Sequence, residues 1–200
     1  MAGVFDSLKG AGAIGIVVLI LALLGNMCNW IAFPTAAWAR EFTNTNKETF
    51  TGYGLWRICG TGTDTGFGKV VSVCTQIDGT NLAYYGAVQA LVSIGFLGLN
   101  AMCLIIILKM FTSKCADVSD IDKVNGIQAI VTGVLYLIGI IIFGAEYGNG
   151  DKLRTVVGTT IVDGDLGYSF VLAVFAMLLE IVVGVVLLVT SLKGGSVAAK

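Results

Sequence analysis

Histidine is missing from the 200-residue chain, proline occurs once, and charged residues make up only 12% of it. Without histidine, imidazole general-base catalysis and histidine-ligated metal sites are excluded. A soluble domain carries about 25% charged residues, so this chain has too few to solvate a folded surface. The formal net charge of −1 also argues against nucleic acid as a partner. The composition therefore favours a lipid environment.

The sequence contains four long apolar runs. A membrane helix needs about 20 largely apolar residues; three runs reach that length, and flanking glycines extend the third. We expect a single membrane domain over residues 1–200, with polar loops at 34–81 and 145–165 on the side opposite both termini. The predicted spans lie at about 11–33, 82–108, 126–144 and 166–192.

The first run has one alternative interpretation, as a secretory signal peptide. Ala37-Trp38-Ala39 imitates a cleavage site. The apolar stretch is longer than the roughly 7–15 residues usual for such a segment, which favours an intact span.

Orientation in the membrane depends on where the basic residues lie. Lysine and arginine divide evenly between the two sides, six and six. Lys109, Lys114 and Lys193 stand closest to span ends, and basic residues there favour the cytoplasmic side. We therefore expect a plasma-membrane protein with both termini in the cytoplasm.

Only two of the five cysteines, Cys59 and Cys74, share a long polar loop. Between them a turn-rich stretch is followed by a strand-like alternation from Lys69 to Ile77, which predicts a hairpin with a cysteine on each arm. A disulfide there requires an oxidising compartment, which would place the loop outside the cell. The alternative is two free cysteines. Cys115 follows the second span and is a candidate for palmitoylation, although a plain free thiol fits as well.

The order of Trp38, Gly54-Leu55-Trp56, Cys59 and Cys74 resembles the claudin, peripheral myelin protein and epithelial membrane protein superfamily. The four spans and the long first loop match as well, so the resemblance covers nearly the whole chain. We expect a left-handed bundle of four membrane helices carrying an extracellular antiparallel β-sheet. In this prediction Trp56 begins a strand and, with the disulfide, holds the sheet onto the helices. A strand of the second loop, for example Thr155–Val162, would add to the sheet.

Three features depart from the claudin pattern. The interval between Cys59 and Cys74 is longer than is usual in vertebrate claudins. The arginine typical of claudins near the start of the second helix is not apparent in YYGAVQAL. The tail SLKGGSVAAK ends in lysine rather than in the hydrophobic residue that PDZ scaffolds read, so we expect no PDZ partner by the usual route. These departures favour a divergent member of the superfamily, of invertebrate type.

The resemblance implies a protein of cell–cell junctions. Such proteins assemble side by side and across the intercellular gap through their outer loops, for adhesion or as a paracellular barrier or pore. The alternative is an auxiliary subunit of an ion channel or receptor, similar to the calcium-channel gamma and AMPA-receptor regulatory subunits. The implied partners are the lipid bilayer and either further copies of the chain or another membrane protein. No catalytic residue pattern, metal-ligand set or cofactor motif is present, so we do not expect an enzyme.

Glu180 interrupts the fourth apolar run. An ionisable residue inside a membrane is costly and marks a candidate site. Its predicted partner is Gln89, Asn100 or Tyr136, and Gln89 is the second candidate for an intramembrane polar contact. A structural hydrogen bond, contact with a partner membrane protein, and ion handling all remain open as roles for Glu180.

Overall fold

Four long helices dominate the computed structural model, which describes residues 12–42, 50–63, 70–77, 79, 83–112, 120–148 and 163–193. Each helix is long and apolar enough to cross a membrane, which confirms the four predicted spans. A helix satisfies its own backbone hydrogen bonds, as the interior of a bilayer requires. The helices are α1 (Gly12–Ala32), α2 (Ala83–Phe111), α3 (Ile121–Gly148) and α4 (Tyr168–Leu192).

The third helix extends beyond the apolar run at 126–144 on both sides. Its first turn contains Asp122, which accepts a hydrogen bond from Lys109 Nζ at 2.5 Å. Lys109 lies in the last turn of α2, and both side chains are buried. A cation near a helix C-terminus and an anion near an N-terminus each complement the helix dipole. The ion pair therefore allows α3 to begin among charged residues. A prediction from hydropathy alone starts this span later, at about residue 126.

An antiparallel sheet of five strands lies in the loops, as predicted. The order of the strands in space is β4-β3-β2-β1-β5, so the second loop contributes the edge strand beside β1. In the described residues the strand of the second loop is Asp163–Leu166, which pairs with β1 directly before the chain enters α4. Thr155–Val162 lies outside the described residues. The strands are β1 (Ala39–Phe42), β2 (Phe50–Tyr53), β3 (Arg57–Thr63), β4 (Val70–Gln76) and β5 (Asp163–Leu166).

The chain forms two compact units, and each contains parts of all four helices. The first unit comprises Met1–Cys28, Ser93–Leu137 and Phe175–Lys200. The second comprises Asn29–Val92 and Ile138–Val174, and it includes the whole sheet. The core of the first unit is aliphatic, with Val18, Leu19, Ala22, Leu99, Met102, Cys103, Ile106, Met110, Ala129, Val183 and Leu187 buried together. The left-handed sense of the bundle stays a prediction.

Glycine lets α2 and α3 approach closely within the first unit. A Cβ atom on Gly98 would overlap the side chain of Thr132, and one on Gly95 would meet the ring of Tyr136 at 2.5 Å. Small residues at such crossings allow helices to pack by van der Waals contact where no hydrophobic effect operates between them. Gly98 and Gly95 are therefore required for the packing of α2 against α3.

Replacing Gly98 with leucine should destabilise the protein by about 1–3 kcal/mol or more, because the added side chain has no space beside Thr132. The thermal midpoint of the purified protein in detergent measures this loss. Ala101→Leu is the matched control, since Ala101 lies on the same helix with its side chain exposed. Equal midpoints for the two variants would contradict this account of the helix contact.

Candidate functional site: the disulfide-bonded sheet

Trp38 is the central buried side chain of the second unit. It lies six residues beyond the end of α1, and its indole Nε1 donates a hydrogen bond to the Ala32 carbonyl oxygen at 2.8 Å. The indole ring packs edge-on against Phe143 of α3 and Phe170 of α4, at centroid distances of 5.2 and 6.1 Å. Tilted and edge-on aromatic pairs add to the stabilisation that burial alone provides. Trp38 thus joins the end of α1 to α3 and α4.

The segment 34–37, between α1 and Trp38, crosses three glycines at close range. A Cβ atom on Gly52 would overlap the Ala36 carbonyl oxygen, one on Gly54 that of Thr35, and one on Gly167 that of Ala37. Only a residue without a side chain lets two backbones approach so closely. The crossing segment is therefore held by β2, by the turn after it and by the start of α4.

Hydrogen bonds hold the crossing segment and its neighbours. The Trp38 amide donates to the Tyr53 carbonyl at 2.8 Å, and the Gly167 amide donates to the Trp38 carbonyl at 2.8 Å. The hydroxyls of Thr35 and Ser169 lie 2.6 Å apart. Both loops are thereby tied to one point, because Tyr53 belongs to the first loop and Gly167 to the second.

Gly54, Leu55 and Trp56 of the sequence motif form the turn between β2 and β3. The Gly54 amide donates to the Arg57 carbonyl at 2.9 Å, which closes the turn. Two side chains of α2 reach it: the Tyr85 hydroxyl donates to the Gly54 carbonyl, and Gln89 Nε2 donates to the Leu55 carbonyl at 2.6 Å. Leu55 is buried. The motif therefore serves to dock the β2–β3 turn on α2.

The position of Trp56 corrects one expectation. Trp56 precedes β3 rather than beginning it, and 39% of its surface is exposed. The turn directs Leu55 inward and leaves Trp56 at the surface, where it contacts Phe33 at a centroid distance of 5.7 Å. The buried anchor of the sheet is Trp38. Trp30 and Tyr168, near span ends in the same unit, are also exposed, as aromatic residues at a membrane interface commonly are.

The predicted disulfide joins Cys59 to Cys74. The two cysteines are directly opposite each other on the neighbouring strands β3 and β4. In the chain-entropy model, a loop of this length gives about 3 kcal/mol of stabilisation. The disulfide thus fixes the register of the hairpin at the edge of the sheet.

Charged side chains in the first loop differ in burial. Glu41 of β1 is buried, whereas Arg57 is exposed and the Arg40 guanidinium lies 5.6 Å from the centre of the Tyr168 ring. Burial raises the pKa of Tyr53 above its usual range, and a hydrogen bond to Glu41 and the charge of that carboxylate raise it further. Tyr53 therefore stays a neutral hydrogen-bonding group beside Glu41.

The other predicted site residues lie apart from one another. Gln89 is used at the β2–β3 turn, as described above. Glu180 lies in the first unit, where its Oε1 lies 2.6 Å from Thr132 Oγ1, a partner that was not predicted. Tyr136, one of the predicted partners, interacts electrostatically with Glu180. Asn100, one of those predicted partners, accepts from Asn26 Nδ2 at 3.3 Å. Cys115 lies outside the described residues.

Sequence reasoning did not single out the aromatic and tyrosine partners of the motif. Tyr85, Phe143 and Phe170 stand within apolar runs, where a phenyl ring facing lipid and one facing the core look the same. A tyrosine near a span end is a weak signal, since its hydroxyl usually finds a partner when it is buried. Within the described ranges, no group of three or more histidine, cysteine, aspartate or glutamate side chains is arranged to hold a metal ion.

Four apolar helices together with a disulfide-bonded antiparallel sheet define a multi-pass membrane protein whose helices contact the bilayer. The chain belongs to the PMP-22/EMP/MP20/Claudin family, whose model matches residues 11–187. This family is one of membrane proteins rather than of enzymes. No curated protein matches the chain significantly.

Trp38 and Trp56 should differ sharply in their contribution to stability. Trp38→Ala should cost about 3–5 kcal/mol, because it leaves a cavity among aromatic rings and removes the indole hydrogen bond to the Ala32 carbonyl. Trp56→Ala should cost roughly 1 kcal/mol, the scale of one aromatic contact. Thermal unfolding of both variants in the same detergent tests the difference. A larger loss for Trp56→Ala would show that the turn, not Trp38, anchors the sheet.

Proposed function

We propose that the protein acts at contacts between cells, assembling with further copies of itself through the sheet. The observation that carries this proposal is the free edge of β4. In the described part of the chain β4 pairs only with β3, and an edge strand offers unpaired backbone groups to another chain. Val73, at the middle of β4, has 58% of its surface exposed. Family membership supports the same role, since assembly through the outer loops is what the resemblance implies.

The sheet lies outside the cell in this proposal, with both termini in the cytoplasm. The support is the Cys59–Cys74 disulfide, because such bonds persist in oxidising compartments and are rare in the cytosol. The placement of Lys109 at the end of α2 agrees with this orientation.

Two arginine side chains lie beside the crossing segment. Arg40 and Arg57 line a concavity of about 480 Å³ together with Cys59 and Tyr168, while Glu41 is buried. Asp165 is exposed on β5 opposite Arg40, whereas Arg57 is exposed on β3. A water-filled path between assembled copies that passes Arg57 would attract anions there.

The alternative role, as an auxiliary subunit of a channel or receptor, would use the helices instead of the sheet. Glu180 does not suit such a contact, because it is fully buried within the first unit. A partner helix would have to meet exposed apolar side chains, such as Leu97 of α2 and Phe175 of α4. Nothing about these side chains distinguishes a protein partner from lipid, so the junction role is the better supported.

Imaging of a tagged copy in cells without junction strands tests the proposal. We expect strong enrichment where two expressing cells touch, lost in Val73→Lys because a charge replaces the exposed apolar side chain of β4. Gln76→Lys adds the same charge at an exposed polar position of the same strand and should retain most of the enrichment. Cys59→Ser/Cys74→Ser should lose it as well, because the hairpin is no longer pinned.

Uniform surface staining of the unchanged protein would contradict self-assembly at contacts. Co-purification with a channel or receptor would then favour the alternative role. Equal enrichment of Val73→Lys and Gln76→Lys at cell contacts would contradict the assignment of the β4 edge as the assembly surface. It would not contradict the proposal that the protein assembles at contacts.

Arg57→Glu should lower the preference for anions in cell layers that express the protein. One exposed charge acts on a nearby ion with about 1 kcal/mol at roughly 4 Å in water, so reversing it should change the chloride-to-sodium permeability ratio a few-fold. Dilution potentials across the layer measure this ratio. Arg57→Lys keeps the charge and serves as the control. An unchanged ratio in Arg57→Glu would remove this surface from any conducting path.

A further inference from the structure

Glu180 is fully buried on α4, in the middle of a membrane span. Its Oε1 lies 2.6 Å from Thr132 Oγ1 on α3. Its other carboxyl oxygen, Oε2, is buried and has no hydrogen-bond partner among the described residues. The Gly133 backbone packs beside it, since a Cβ atom on that glycine would lie 3.7 Å from the Glu180 carboxyl carbon. The carboxyl group is therefore enclosed between the two helices.

Thr132 has one hydroxyl proton and three oxygen atoms that compete for it. Its Oγ1 lies 2.6 Å from Glu180 Oε1, 2.9 Å from the Gln128 carbonyl oxygen and 3.4 Å from the Ala129 carbonyl oxygen. A fourth neighbour, Gln128 Nε2 at 3.1 Å, can only donate. A hydroxyl donates once and accepts up to twice. If Glu180 were ionised, its carboxylate would compete with the two backbone carbonyls for this single proton.

A proton on Glu180 Oε1 resolves this competition completely. Glu180 then donates to Thr132, Gln128 Nε2 also donates to Thr132, and the Thr132 hydroxyl donates to the Gln128 carbonyl. Every hydrogen atom in the network has one acceptor, and the threonine oxygen uses both of its lone pairs.

Among the described residues, no lysine or arginine pairs with Glu180 to stabilise a carboxylate. Lys109, the basic residue of the last turn of α2, is paired with Asp122. The titratable group that interacts electrostatically with Glu180 is Tyr136 on α3, which in turn interacts with Cys28 on α1, and neither of them is cationic. A buried carboxylate without a cation is strongly unfavourable, and more so in a bilayer.

We propose that Glu180 is a proton-binding site within the membrane, held as a neutral carboxylic acid that donates to Thr132 and so joins α4 to α3. The ligand is a proton, and the site is separate from the sheet and from the proposed role in cell contacts. The neutral acid acts as a polar link between helices, in the manner of serine, threonine or asparagine at other membrane helix contacts.

Infrared spectroscopy of the full-length protein in lipid nanodiscs at neutral pH tests this site. The carbonyl absorption of a protonated carboxylic acid should be present in the unchanged protein and lost in Glu180→Gln. Thr132→Val keeps the shape of the side chain but removes the hydroxyl, and it should move the band to higher frequency. Glu41→Gln is the control, because Glu41 is a second buried carboxyl group, in the sheet, and its change should leave the band in place.

Three results would overturn the proposal. The first is a spectrum without a protonated-acid band that Glu180→Gln removes. The second is a band removed by Glu41→Gln instead. The third is a carboxylate band that is lost in Glu180→Gln and that changes when sodium in the buffer is replaced by a bulky organic cation. The ligand would then be a metal ion rather than a proton. Should Glu180→Gln fail to fold, the presence and shift of the band in Thr132→Val decide the question alone.

Discussion

The attachment of the sheet depends on one close contact, between the backbone of residues 34–37 and the glycines beneath it. Because Gly52, Gly54 and Gly167 have no side chains, the crossing segment lies against β2, the β2–β3 turn and the start of α4. This position delivers Trp38 into the aromatic core and sets the hydrogen bonds of its backbone. The conformational freedom that these glycines lose on folding is the cost of the contact.

The sequence motif of the first loop therefore combines unlike physical roles. Gly54 is needed for space, Leu55 for burial, and Trp56 for a surface contact with Phe33. Cys59 is needed for a covalent link to the next strand. A substitution at each position would therefore remove a different kind of interaction, although the residues lie close together in the chain. Their common result is a small sheet that is docked on helix ends without a large core of its own.

Hydropathy was enough to predict the four helices, because a span needs little more than length and apolar side chains. The disulfide followed from two cysteines sharing one polar loop. The start of α3 among charged residues could not be predicted, since it depends on Lys109 meeting Asp122 across a loop. The hydrogen bond of Glu180 to Thr132 was not predicted, because threonine is a weak polar signal in an apolar run. The sequence also could not show which of Trp38 and Trp56 is the more buried. Their burial is set by the direction of a turn, which composition does not show.

The topology of the sheet also imposes an order on biosynthesis. β5 pairs with β1, yet the ribosome makes it after α3 and immediately before α4. Until that moment the outer side of β1 has no strand to pair with, and Gly167 is not yet available to the crossing segment. The nascent protein therefore carries an incomplete sheet through most of its insertion into the membrane. During that interval the outer edge of β1 offers unpaired backbone groups to other chains.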